Sequence, residues 1–319
     1  MISKMAVLSL KAETAEGVLS QPTATGCFLV EDLDCDLDWD PDEPNYFTST
    51  GRKHEDIPGN GSITITGKIH IKGSGSTGTT TYTEPDWIHV MRACGCFGHQ
   101  TTGATMGSLT IQESPTPNAT GTSYSGLMNV NGKRYLAAGL RGDGTFEGVV
   151  GRALKFAFSL QGAVYSVGDA TILTPSGMNT TVAPVFFNSI AAFAYDSYNA
   201  LISRLSLSLG NDVQPNTDPN ATYGILSYGI TDRNPRGEMD PRECTTGTYN
   251  WHAKMLALTQ GALRFKIGRA ATGTYVDFQA PQVQIPNYKK GDRNGWLVNN
   301  APLKFCGDES NAPWVMYLT

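Results

Sequence analysis

The most regular signal along this chain is an alternation of apolar and polar residues with a period of two. In "EDLDCDLDWDPDE", Glu31 to Glu43, the residues Leu33, Cys35, Leu37 and Trp39 alternate with Asp32, Asp34, Asp36, Asp38 and Asp40. Successive side chains of a strand point to opposite faces, so this pattern predicts a half-buried strand carrying a row of carboxylates. The acids also match most carboxylate positions of an EF-hand calcium loop. Leu37, however, stands where such a loop makes its sharp turn, and same-face acids on a strand sit about 6.6 Å apart, too far to converge on one ion.

The same periodicity predicts further strands over residues 6–11, 62–72, 108–112, 126–130, 134–138, 145–150 and 153–160, with the acidic strand covering 27–39. "NGK" at Asn131–Lys133 predicts a hairpin turn, because Asn-Gly readily adopts positive φ. Residues 40–61, rich in Pro, Gly and charge, read as a long loop. One helix is expected in "TEPDWIHVMRACG": Thr83 is a candidate N-cap, Gly95 a stop, and Trp87, Val90, Met91 and Cys94 share one face.

After residue 184 the plan repeats. "RLSLSLG" alternates, a Pro/Asn-rich loop at 211–221 follows, then a strand over 223–232, a helix within 246–263, and strands at 264–267 and 275–279. "TTYTEPDWIHVMRACG" and "TTGTYNWHAKMLALTQG" both place Thr and Tyr before a Trp-led helix, which predicts an internal duplication. The expected division is a first domain at 1–167, a linker at 168–184 and a second domain at 185–319.

Charge adds an asymmetry. The 319 residues carry a net charge of −5, but residues 1–60 alone sum to −8 and the remainder to +3. An acidic segment on a mildly basic body predicts charge-complementary contact within or between copies, with Arg134, Arg141 and Arg152 as candidate basic partners. It argues against a dedicated nucleic-acid binder, which would be basic overall. No apolar run approaches the roughly 20 residues of a membrane span, so the expectation is synthesis in the cytoplasm without membrane contact.

Candidate chemistry is thin. His89, Cys94, Cys96 and His99 are zinc-compatible residue types, but C-x-C-x2-H is not the spacing of a common zinc module. "GSGSTG" (73–78) matches G-x-G-x-x-G, yet "TTTYTEP" is a poor opening for a phosphate-binding helix, so a hairpin tip is the better reading. The G-x-S-x-G, H-E-x-x-H and P-loop patterns are all missing, and none of the five histidines is tied by motif to a nucleophile. The expectation is a non-enzyme without cofactor or metal.

The order of features resembles the tail tube (major tail) proteins of tailed bacteriophages. "LSLKAETAEGVLSQPTATGCFLVEDLDCDLDW" is similar to their opening, a "K-x-E-T-x-x-G-x-x-x-x-P-T" stretch followed by a strand and a long loop. "WIHVMRACG" resembles their short helix, and "TFEGVVGRALKFAFSLQGAVY" their Gly-flanked closing strands. "PVFFNSIAAFAYDSYNALISRLSLSLGNDV" with "YGILSYGITDRNPRGEMDP" resembles the longer members. The resemblance implies a mainly β protein of two tandem β-sandwich or barrel domains, each with one short flanking helix.

The function so implied is that of a virion structural protein whose rings stack into the channel for genome ejection. Its partners would be further copies of itself, other tail proteins, the tape measure protein and DNA in transit, bound without sequence specificity. With two tube domains per chain the rings would be trimers of pseudo-sixfold shape, hexamers being the alternative. Asp34, Asp36 and Asp38 would line the lumen, where negative charge repels phosphate, or else meet the adjacent ring. Tyr46, Phe47, Arg52 and Asp56 in the long loop would contact a stacked ring, with 211–221 at the equivalent place in the second repeat. Another β-rich tail component, such as a terminator or minor tail protein, is the competing reading. A hydrolase on a β fold would need a carboxylate pair facing across a cleft, which an even row does not supply.

Overall fold

The computed structural model describes residues 6–44, 46, 55–73, 84–101, 108–119, 122–178, 180, 182–269, 274–307 and 312–318. Strand makes up 58% of the chain, against two helices of six residues each, so the protein is mainly β. In chain order the first elements are β1 (Ala6–Ala12), β2 (Glu31–Asp42), β3 (Ile57–His70), α1 (Ile88–Ala93), β4 (Cys96–Thr101), β5 (Ser108–Glu113), β6 (Tyr124–Val130), β7 (Lys133–Val149) and β8 (Lys155–Asp169). There follow β9 (Ser189–Tyr195), β10 (Tyr198–Asn199), β11 (Arg204–Ser208), β12 (Asn211–Thr217), β13 (Ile225–Arg233), β14 (Arg236–Met239) and α2 (Trp251–Leu256). The chain closes with β15 (Gly261–Arg269), β16 (Thr274–Gln284), β17 (Lys289–Arg293), β18 (Trp296–Phe305) and β19 (Val315–Leu318).

Every pairing is antiparallel, and all strands except the hairpin β12–β13 belong to one large sheet. Its centre is β2–β3–β8–β7, extended from one part of β7 through β6 to β1 and from the other through β11 to β14 and β18. Alternation fixes which side is buried: Ile63, Ile65 and Ile69 of β3 and Phe156, Phe158 and Leu160 of β8 all point into the core. The turn at Asn131–Gly132 has the expected positive φ at both residues.

Strands from the two halves of the chain pair with each other. β11 hydrogen-bonds to β7, and β19 runs between β5 and β16. Aromatic contacts follow the same route, from Phe156 to Phe146 (4.8 Å between centroids), to Trp314 (5.9 Å), to Phe278 (6.0 Å) and to Phe265 (4.8 Å). One apolar cluster therefore spans residues from Leu8 to Leu318. The stretch 168–184 is tied back to the first half, by Ser176 N donating to Ala24 O and Leu173 N to Asn129 Oδ1.

The expected helices are shorter than the sequence suggests. α1 keeps its apolar face, with Trp87, Val90, Met91 and Cys94 all buried, and Gly95 at φ +74° ends it. The expected cap Thr83 lies outside the described residues, as does most of "GSGSTG". α2 is capped by Asn250, whose side chain accepts from Ala253 N, and buries only Trp251.

Residues 211–221, expected as a loop, are in large part β12, which forms a hairpin with β13 that lies across the first half. A buried polar network holds it there. Arg141 (1% exposed) donates to Glu16 Oε1 (2.9 Å), Tyr228 O (2.7 Å) and Thr122 Oγ1 (3.0 Å). Asn118 bonds both backbone groups of Ile230, and Arg233 donates to Ser114 O and Gly95 O. Gly17 and Gly139 let β13 approach closely. Both have positive φ, and a Cβ on either would lie 2.5 Å from β13 backbone atoms.

Arg141 is thus excluded as a basic surface partner for the acidic strand. Beneath the hairpin, Glu13 of the "K-x-E-T" stretch is 3% exposed and accepts from Gly139 N (2.8 Å), Ser125 Oγ (2.8 Å) and Gly17 N (2.9 Å). Glu13→Ala strands these donors in the interior and should lower the unfolding free energy by about 3 kcal/mol, measured by urea denaturation.

Candidate functional site: a polar, hydroxyl-rich sheet face

The side of the central sheet that faces away from the apolar core is polar over seven strands. One row of register partners reads Glu31, Lys68, Ala157, Thr145, Ser208, Arg236 and Lys304, on β2, β3, β8, β7, β11, β14 and β18. At about 4.8 Å between strands, the row is about 29 Å wide. Neighbouring rows have the same character: Thr66 pairs with Ser159, Thr64 with Gln161, and Glu147 with Ser206. The hairpin β12–β13 covers one end of this face around Arg141 and Ala163, and leaves the acidic strand at its margin.

Asp34, Asp36 and Asp38 are exposed on β2, in register with Thr66, Thr64 and Ser62. Among the described residues none of the three forms an ion pair. Their opposite-face neighbours change along the strand. Leu33 and Cys35 pack on the core, while Leu37 and Trp39 emerge to 37% and 39% exposure. Trp39 meets the Tyr223 ring edge-on at 5.0 Å.

Two irregularities depart from the expected strand. The first is a bulge between Glu31 and Asp34, with Asp32 in the left-handed region at φ +51°. A bulge inserts one residue and so shifts the alternation. It takes Asp32 out of the row and puts Glu31 in its place, a residue that unbroken alternation assigns to the opposite face. Glu31 accepts from Lys155 Nζ (2.6 Å) and lies 2.7 Å from His70 Nε2, and those two bonds hold its carboxyl below the ordinary value. Lys68–Glu147 and Arg204–Glu238 add ion pairs further across the face.

The second irregularity is at the far end. β2 continues to Asp42 and β3 begins at Ile57, so the expected loop over 40–61 contracts to 43–56. Pro41 is tolerated within β2 because among the described residues β2 pairs only with β3, which leaves no ladder on its other side to need that N–H. Tyr46 is exposed (62%), as is Asp56 beside Ile57. Phe47 and Arg52 lie outside the described residues.

The remaining candidate chemistry takes structural roles. Cys94 and Cys96 are buried free thiols whose pKa burial pushes well up, and Cys94 Sγ points to Asp143 O at 3.6 Å. Among the described residues no three His, Cys, Asp or Glu side chains gather as a metal site. The polar face displays regularly spaced hydroxyl, amide and charged groups, one from each strand in a row. Compared with known proteins, the chain matches no family model, and no curated protein matches its sequence.

The Glu31 cluster has a pH signature. A carboxylate with a depressed folded pKa contributes stability that is present above its unfolded pKa, about 4.3, and is lost as pH falls through the folded value. Glu31→Gln should therefore flatten the decline of the thermal midpoint below about pH 4.3 while leaving the neutral-pH fold unchanged, read by circular dichroism.

Proposed function

We propose that this chain is a structural subunit that assembles with copies of itself into the wall of a tube, as the tail tube subunit of a tailed bacteriophage. The observation that carries the reading is the seven-strand sheet with one apolar face and one polar face, on which the unpaired acids gather along β2 while Lys68, Lys155 and Arg204 are held in ion pairs and Arg236 and Lys304 lie at the far side. A channel that passes DNA needs a wall that does not adhere to phosphate. The carboxylates along β2 beside Ser and Thr supply local repulsion without a binding site. On this reading Asp34, Asp36 and Asp38 border the lumen, and the connection between β2 and β3, with Tyr46 and Asp56, reaches toward the next ring.

We also read the two halves as a tandem repeat. In each, a hairpin (β2–β3, then β12–β13) precedes a six-residue helix with a buried Trp at its start, Trp87 at the N-cap of α1 and Trp251 as the first residue of α2. Two such units per chain favour a trimeric ring of pseudo-sixfold outline. The aqueous, assembled form is the virion tail, reached after synthesis in the host cytoplasm.

Negative-stain microscopy of the purified protein tests the assembly: stacked tubes support the reading, and a persistent monomer ends it. Isolated rings that never stack favour a terminator-like tail component instead. Native mass measurement of a single ring tests the repeat, since three chains are expected and six would refute it. Deleting residues 45–58 should yield rings that do not stack, and tubes of ordinary length would rule out that connection as the stacking element.

A further inference from the structure

Beyond β18 the sheet divides: Lys304 of the row above pairs with Gln284 of β16, while residues 296–300 of β18 pair with β17. The hydrogen-bonded order β2–β3–β8–β7–β11–β14–β18–β17 ends at both sides on a free edge, since among the described residues β2 pairs only with β3 and β17 only with β18. These two edges differ in charge. β2 carries Asp34, Asp36, Asp38, Asp40 and Asp42, none of them in an ion pair among the described residues. β17 reads KKGDR, with Lys289 and Lys290 both exposed; Lys290 meets Glu243 at its rim, and Lys289 has no ion pair among the described residues.

Each edge also has uncovered apolar surface beside it. On the acidic side Leu37, Trp39 and Ile57 are 37%, 39% and 50% exposed. On the basic side Trp296, Leu297 and Leu201 are 53%, 51% and 62% exposed, and the Arg242 guanidinium lies 3.5 Å over the Trp296 ring. Leu201 belongs to the same patch, because Arg242 N donates to Leu201 O and Arg242 forms a bridge with Val298.

We propose that the β2 edge of one copy docks against the β17 edge of a second copy, as the lateral contact of the ring. This rests on the self-assembly reading above and names its surfaces. Two unlike, complementary patches on one chain produce head-to-tail association, which closes into a ring when the rotation per subunit divides a full turn. Charge selects the partner. Two β2 edges would bring carboxylates opposite one another, which disfavours pairing, whereas Asp opposite Lys favours it. The long free edge of β2, otherwise a template for promiscuous strand addition, thereby accepts one partner and rejects itself.

The experiment compares four full-length proteins by sedimentation velocity and negative-stain microscopy over a range of concentrations: wild type, Asp36→Lys/Asp38→Lys, Lys289→Glu/Lys290→Glu, and the fourfold variant. Circular dichroism and thermal midpoints establish that all four are folded. Each double variant should raise the concentration needed for assembly at least about tenfold, two cross-strand charge pairs having been reversed. The fourfold variant, with both edges inverted, should recover assembly. If wild type assembles and either double variant does so at the same concentration, the proposed contact is wrong while self-assembly stands. A folded fourfold variant that fails to assemble overturns it equally. A wild type that stays monomeric throughout defeats the tube reading itself.

Discussion

Register is the constraint on which the rest of this structure depends. Along β3, Ile63, Ile65 and Ile69 enter the core while Ser62, Thr64, Thr66 and Lys68 do not, and the partners on β8 alternate in step. A slip of one residue would send every isoleucine to the polar side and every hydroxyl into the core. Burying one Ile is worth about 2 kcal/mol, so a slip at several strands at once has no competitive alternative. The evenness of the polar face is a by-product of that penalty. What the core demands of odd positions leaves even positions free to be selected for contact with whatever lies outside.

The second determinant is polar and buried. Glu13, Glu16, Arg141, Asn118 and Arg233 join segments far apart in sequence, and each donor or acceptor they satisfy would be costly to leave alone. They seat the hairpin β12–β13 over one end of the polar face, where an extended ladder of backbone bonds could not do so. Burial at this seam lifts the Asp143 carboxyl above its ordinary value, although backbone amides of Asn211, Gly144 and Gly210 work against the shift. The strictly alternating part of the face, with its acids, stays open beyond the hairpin.

Legibility in the sequence followed the same division. Strands whose alternation is complete, such as β3 and β8, were visible because one face is fully buried and the other fully polar. The acidic strand was visible from its alternation, although its apolar side is only partly covered, Leu33 and Cys35 packing on the core while Leu37 and Trp39 emerge. At Asp32 the backbone takes a left-handed bulge that an aspartate tolerates as well as an asparagine does, and composition alone does not mark it. "VEDLD", with two acids in succession, was the one available hint that Glu31 would join the row. The strand at 223–232 was legible, but its partner β12 was hidden because Pro215 and the asparagines there read as loop, and only pairing with β13 makes a strand of them. Arg141 looked like a surface base because its partners come from Glu16, Thr122 and Tyr228, none of them near it in sequence.

The place of β19 affects when the fold can be completed. This strand fills the gap between β5 and β16, and Trp314 just before it donates to Glu113 from 201 positions away. At about 5–20 residues per second of synthesis, the β5 edge waits on the order of ten seconds or more on the ribosome before its neighbour exists. The first half therefore leaves the tunnel with an open edge and an unfilled aromatic slot. Until residues 315–318 are made, β5 and β16 lack the strand that lies between them, and the sheet of the first half stays open to strand addition by other chains.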